Sequence, residues 1–120
     1  MKRQLLATIL LLTAMSLPVF GFQKGKEKED PNVRSVQGTV YDGQDNPIDG
    51  AVVKLKNTKT LQVRSFITQQ GGNYYFHGLS TNVDYELKAE HGGGSSPSKT
   101  LSVYDSRKKA VINLKLEPGN

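Results

Sequence analysis

From residue 33 to residue 117, apolar and polar residues alternate in short runs, each closed by Gly, Asp, Asn or Pro. In the first run Val36 and Val40 share a side with Gly38, while Gln37, Thr39 and Tyr41 take the other. A period of two is what a half-buried strand requires, and it predicts a strand over residues 33–42. Gly38 brings no side chain to the core, so another group is expected to approach the backbone there. Asp42-Gly43, Asn46-Pro47 and Asp49-Gly50 are turn dipeptides. A second strand is predicted over 51–57, with Ala51, Val53 and Leu55 inward and Lys54 and Lys56 in water.

The later runs repeat this grammar. Residues 61–68 read as a third strand with a blurred period, since Phe66 breaks the parity of Leu61 and Val63; a bulge or an edge position would each account for it. Gly71-Gly72 marks a hairpin loop. Residues 74–77 form a short fourth strand, with Tyr74 and Phe76 inward and Tyr75 and His77 outward, and Leu79 plugs the core behind it. Val83, Tyr85, Leu87 and Ala89 alternate with charged partners in a fifth. Gly92-Gly93-Gly94-Ser95-Ser96-Pro97 reads as a flexible loop. A sixth strand is predicted over 100–104, with Leu101 and Val103 inward, and a seventh over 109–117, with Ile112, Leu114 and Leu116 inward. Short strands at even spacing, with no helical period among them, predict an all-β Greek-key sandwich of about seven strands.

Ahead of this domain, residues 1–21 have the form of a secretory signal peptide: Lys2 and Arg3, an apolar stretch from Leu5 to Leu17, then Pro18 and Val19-Phe20-Gly21. The apolar stretch is well short of the about 20 residues that cross a bilayer core, so cleavage is expected rather than a membrane span. Residues 22–32 are charged and nearly free of apolar side chains, as in a mobile lead-in. The expected product is an exported domain, periplasmic or extracellular, over residues 33–117.

Composition narrows the function classes. The chain has 120 residues, no Cys and a formal charge of +5. Disulfides, Cys-based metal sites, a Cys nucleophile and a lipoprotein anchor are therefore excluded. Charges of both signs interleave, and Arg107-Lys108-Lys109 is the one basic cluster, which predicts no nucleic-acid partner. His77 and His91 stand in no zinc-ligand spacing, and no Gly-x-Ser-x-Gly elbow supports a hydrolase triad. Asp42, Asp45, Asn46 and Asp49 crowd one loop, an oxygen set that suits calcium; their spacing is not that of an EF-hand and these are ordinary turn residues, so a turn is expected, with a calcium site as the alternative. No cofactor and no catalysis are expected. Tyr41, Tyr75 and Tyr104, with His77 beside Tyr75, are aromatic side chains on outer faces or strand ends; they form the candidate surface for a protein or glycan partner. The competing expectation is a stand-alone structural or adhesive module with no soluble ligand.

Three stretches resemble carboxypeptidase regulatory-like domains: Val36-x-Gly38-Thr39-Val40-x-Asp42 continuing into Asn46-Pro47-Ile48-x-Gly50-Ala51-x-Val53-x-Leu55; Thr68-x-x-x-Gly72-x-Tyr74-x-Phe76-x-Gly78-Leu79; and Tyr85-x-Leu87-x-Ala89. The resemblance implies a transthyretin-like (prealbumin-like) sandwich, akin to carbohydrate-binding-like folds and Cna-B-type modules. Gln69 stands where the family favours Asp, and Asn82-Val83-Asp84 where it favours Pro-x-Gly, so turn geometry is expected to differ. The family's name derives from its position behind a zinc carboxypeptidase domain whose ligand motifs this chain lacks, and it implies no peptidase activity here. Cna-B relatives can carry an internal Lys–Asn bond; Asn113 sits in the last strand, but the period points it outward and the first strand holds no Lys, so no such bond is expected.

Overall fold

The computed structural model describes residues 30–119. The predicted signal segment and the lead-in through residue 29 lie outside the described residues. Residues 30–32 belong to the fold rather than to the lead-in. They make a turn in which Asn32 N–H donates to Asp30 Oδ1 (2.9 Å), and Asn32 O accepts from Thr81 N–H (3.1 Å).

Nine strand segments follow: β1 (Val33–Tyr41), β2 (Val52–Asn57), β3 (Val63–Ile67), β4 (Asn73–Ser80), β5 (Tyr85–His91), β6 (Gly94–Ser95), β7 (Lys99–Leu101), β8 (Lys109–Val111) and β9 (Leu114–Lys115). They form two sheets. In one, β1 lies between antiparallel β4 and parallel β8 and β9. In the other the order is β3-β2-β5, with β6 and β7 both pairing β5. Alternating side chains from both sheets fill the core, among them Val36, Val40, Val53, Leu55, Tyr74, Phe76, Leu87, Leu101 and Leu114. Each follows the period of two, because only one face of each strand leaves water.

Four details depart from the sequence reading, each for a local reason. The third strand is an edge, which settles its blurred period, and it starts later than expected. Leu61 stands in the turn at φ 68, with its N–H on Asn57 O, and Asn57 Oδ1 caps Lys59 and Thr60 N–H. The fourth strand runs on to Ser80 through a bulge: pairing shifts between Val36↔Phe76 and Arg34↔Leu79, and Gly78 at φ 71 absorbs the extra residue. That is why Phe76 and Leu79, three apart, both face inward. Val103, expected in the core, is exposed. The sixth strand stops at Leu101, and a turn follows in which Asp84 Oδ1 takes Val103 N–H and Ser102 O takes Asp105 N–H. The glycine-rich loop is a tight turn, not an open linker. Gly92 and Gly93 adopt positive φ, β6 returns on β5, and Ser95 exchanges backbone hydrogen bonds with Glu117.

The predicted seventh strand is real but interrupted. β8 and β9 keep one register against β1 (Val36↔Ala110, Val40↔Leu114), with a break at Ile112-Asn113. There the Tyr74 hydroxyl donates to Ile112 O, and Asn113 Oδ1 takes Thr39 N–H (3.0 Å). Burial pushes the Tyr74 hydroxyl far above its ordinary acidity range, so it stays a donor. Gly38 faces this break, and its bare Cα is what lets Ile112 O lie against β1.

At the other end of β1, Arg34 is 3% exposed. Its guanidinium donates to the carbonyls of Ser80, Val83, Leu101, Ser102 and Asp105. The turn it holds carries a pH-sensitive pair. Hydrogen bonds from the Arg107 side chain and N–H hold the Asp105 carboxyl down at about 2, against an ordinary 3.8. A carboxylate lowered on folding stabilises the fold above its ordinary pKa and loses that contribution as pH falls through its folded value. Urea midpoints should therefore drop as pH falls from about 4 to about 2, and the drop should be shallower in Asp105→Asn. Parallel acid limbs in the two proteins would show that the pair contributes nothing.

Candidate functional site

The outward side chains of the β4-β1-β8 sheet form ordered rows. Register places Tyr75 opposite Gln37 and Gln37 opposite Val111; Asn73 opposite Thr39; and Ser35 opposite Lys109. Tyr75 and His77, two apart on β4, project from the same side. Their rings stack with centroids 5.6 Å apart and planes at 24°. Tyr75 is 44% exposed although it lies within a sheet face, and Val111, in the same row on the far side of Gln37, is 52% exposed. An aromatic side chain left half in water on a regular face is a surface available for contact.

Two shallow depressions adjoin at Tyr75. One, of about 490 Å³, is lined by Asp30, Val33, Tyr75, His77, Lys108 and Lys109. The other, of about 320 Å³, is lined by Gln37, Thr39, Asn73, Tyr75, Val111 and Asn113. Two lysines and Asp30 are among the residues lining the first, and Gln37, Asn73 and Asn113 bring side-chain amides to the second. Lys108 Nζ is held by Asp30 O (3.1 Å), and Thr39 Oγ1 bonds Asn73 Oδ1 (3.1 Å), so part of each lining is fixed. Larger depressions of about 530 and 800 Å³ flank Gly92–Gly94 at the far end; they are lined mostly by turn backbone and glycine, with His91 as their imidazole.

Of the four candidate side chains, the structure brings Tyr75 and His77 together. Tyr41 lies on the same face at the end of β1, two outward positions beyond Gln37, bridged to Pro47 and half-buried. Tyr104 is elsewhere. It stands 91% exposed in the β7–β8 turn, the turn fastened to Arg34 at the start of β1. Of the face's polar members, Gln37 and Asn113 were read from the sequence as outward but not as contact residues, and Asn73 was not singled out. Their signal was the outward phase they share with Tyr75 on paired strands.

The acidic loop after β1 is held by its own contacts. Asp42 Oδ1 accepts N–H groups from Gln44 (2.8 Å) and Asn46 (2.9 Å), and these hydrogen bonds, with Asn46 first, hold its carboxyl below the ordinary range. Asp45 at φ 67 pairs with Lys115 at 3.1 Å. Asp42 thus shapes the turn and Asp45 is ion-paired, and among the described residues no three His, Cys, Asp or Glu side chains are grouped as metal ligands. Asn113 is exposed, as expected. The nearby Lys99 reaches its backbone O (3.0 Å), while its side-chain oxygen serves Thr39. In the basic cluster, Arg107 is paired with Asp105 at 2.7 Å. No helix among the described residues is long and apolar enough to cross a membrane.

The fold and this face can be set beside known proteins. The model of the carboxypeptidase regulatory-like domain matches residues 35–117, and the chain belongs to that family. Solved structures share the fold. The TIE protein of Bacillus anthracis is 21% identical with a TM-score of 0.57, over 72% of this chain and 17% of its own. The pilus 2b backbone protein of group B streptococcus is 16% identical with a TM-score of 0.55, over 72% of this chain and 42% of its own. Chlorocatechol 1,2-dioxygenase from Pseudomonas putida is 10% identical with a TM-score of 0.57, over 82% of this chain and 70% of its own. The chain thus spans well under two-thirds of the TIE and pilus proteins. A comparison with curated proteins returns no match. The transthyretin-like sandwich expected from the sequence is the observed fold.

Proposed function

We propose that this protein is an exported, non-catalytic β-sandwich module that binds a glycan at the cell envelope through the open β4-β1-β8 face. One observation carries the reading: Tyr75, stacked on His77, is the shared wall of an amide-lined and a lysine-lined depression. A flat ring suits the apolar face of a sugar, and amides suit its hydroxyls. Lysines in the lining suit a carboxylate-bearing saccharide. Export rests on the form of residues 1–21, and a place at the cell surface agrees with a fold shared with a pilus backbone protein. The fold shared with dioxygenases carries no activity over to this chain, because at 10% identity it speaks of architecture alone. Neither nucleic acid nor a cofactor enters this reading.

The test is a glycan and peptidoglycan-fragment array probed with the purified protein. Tyr75→Ala should weaken binding at least about tenfold, while the melting temperature stays within a few degrees, as for other exposed substitutions. A folded protein that binds no saccharide, or binding that survives Tyr75→Ala, would sink the reading and direct attention to a protein partner.

A further inference from the structure

We infer that β3 is a docking edge for a second copy of this chain, joined by antiparallel strand addition about Ser65. β3 is the outermost strand of the β3-β2-β5 sheet. At the two ends of its ladder with β2, Asn57 N–H donates to Gln62 O and Thr68 N–H to Ala51 O. Antiparallel alternation then turns the backbone groups of Gln62, Arg64, Phe66 and Thr68 toward β2 and leaves those of Val63, Ser65 and Ile67 aimed at the open edge. The same three residues carry the outward side chains, opposite Lys56, Lys54 and Val52.

Sheet edges are usually blunted by shortness, charge or a cover. The other edges here show such devices. β8 and β9 have three and two residues and carry Lys109 and Lys115; β6 and β7 have two and three, with Lys99 on β7. On β4, Arg64 reaches across to donate to His77 O (3.0 Å), with its guanidinium over the Phe76 ring. β3 has five residues, and its outward side chains are Val63 (50% exposed), Ser65 and Ile67 (61%), preceded by Leu61 (65%).

The occupant follows from self-complementarity and charge. A two-fold axis at Ser65 sets Ser65 against its own copy and each Val63 against the other copy's Ile67, giving two apolar cross-strand pairs around a small centre. Within residues 60–70 Arg64 is the one charged residue, it is already engaged inward, and in this register it faces Phe66 of the other copy, not its own counterpart. The lysines one strand in are neutralised within each copy, Lys54 by Glu90 (3.1 Å) and Lys56 by Glu86 (3.8 Å). No like charges oppose across the seam. Stable interfaces use about 20–30 residues a side, so one short strand gives a reversible, concentration-dependent dimer.

Sedimentation of the purified protein from about 10 µM to about 1 mM should show the mean mass rising toward that of a dimer. Ile67→Lys should weaken association at least about tenfold with an unchanged melting temperature, and Val63→Lys should do the same. Because the chain has no Cys, Ser65→Cys supplies a unique thiol, and directly opposed residues on paired strands lie within disulfide reach. It should cross-link under mild oxidation far faster than Ser98→Cys, at an exposed loop position. A constant monomer mass overturns the inference. So does association that is indifferent to the two Lys variants, or a Ser65→Cys protein that cross-links no faster than Ser98→Cys.

Discussion

Gly38→Ala should destabilise the protein by about 3 kcal/mol or more, near the upper end of what overpacking costs. A Cβ built on Gly38 would fall 1.9 Å from Ile112 O and 2.9 Å from the Tyr74 ring. The first obstacle is backbone, so no rotamer change relieves it. To make room, Ile112 O must leave the Tyr74 hydroxyl, which would orphan a buried donor, or β8 and β9 must leave β1. For a domain of this size each kcal/mol is about 4–8 °C, so the melting temperature should fall by about 12 °C or more. Gly43→Ala is the control. Its added Cβ meets nothing within 4 Å, and the variant should stay within about 0.5 kcal/mol. If the two variants melt alike, β8 and β9 do not lie against Gly38 as described.

Gly38 also shows what the sequence can carry. Its position on the inward face announced a close approach, and the approach is there; which group approaches depends on β8–β9 lying parallel to β1, a pairing across more than 70 residues that no local pattern encodes. Inward positions on β1, β2, β4 and β5 were legible because burial on one side imposes a period of two. Val103 was misplaced because alternation continued past Leu101 on paper, while Asp84 Oδ1 captured the Val103 N–H and ended the strand. Within the candidate face, Tyr75 and His77 were legible as neighbours because i and i+2 share a side. Tyr41 and Tyr104 could not be placed relative to them, since that distance is set by the sheet pairing and by the turn that Arg34 holds.

Arg34 is the residue whose loss should cost most. Arg34→Ala should destabilise the protein by about 3–5 kcal/mol, because several carbonyls at this closed end lose their donor together and a buried acceptor left without one costs about 1–3 kcal/mol. An arginine has five N–H donors in a fixed fork, and here there is a carbonyl for each. Nε serves Ser80 (3.1 Å), Nη1 serves Ser102 (2.8 Å) and Asp105 (3.3 Å), and Nη2 serves Val83 (2.8 Å) and Leu101 (3.5 Å). Those carbonyls belong to the end of β4, the β4–β5 turn, the end of β7 and the β7–β8 turn, so one side chain closes one end of the sandwich. The phase that puts Val36 and Val40 inward also puts Arg34 inward, a signal easily passed over because a lone charge in a strand reads as surface. Arg34→Lys keeps the charge but offers three donors from a single nitrogen, and it should recover less than half of the loss. Against a total stability of about 5–15 kcal/mol, Arg34→Ala should unfold far below the parent and speed amide exchange around Ser102 and Asp105 first. A variant that melts within about 4 °C of the parent would mean that water satisfies those carbonyls as well as the guanidinium does.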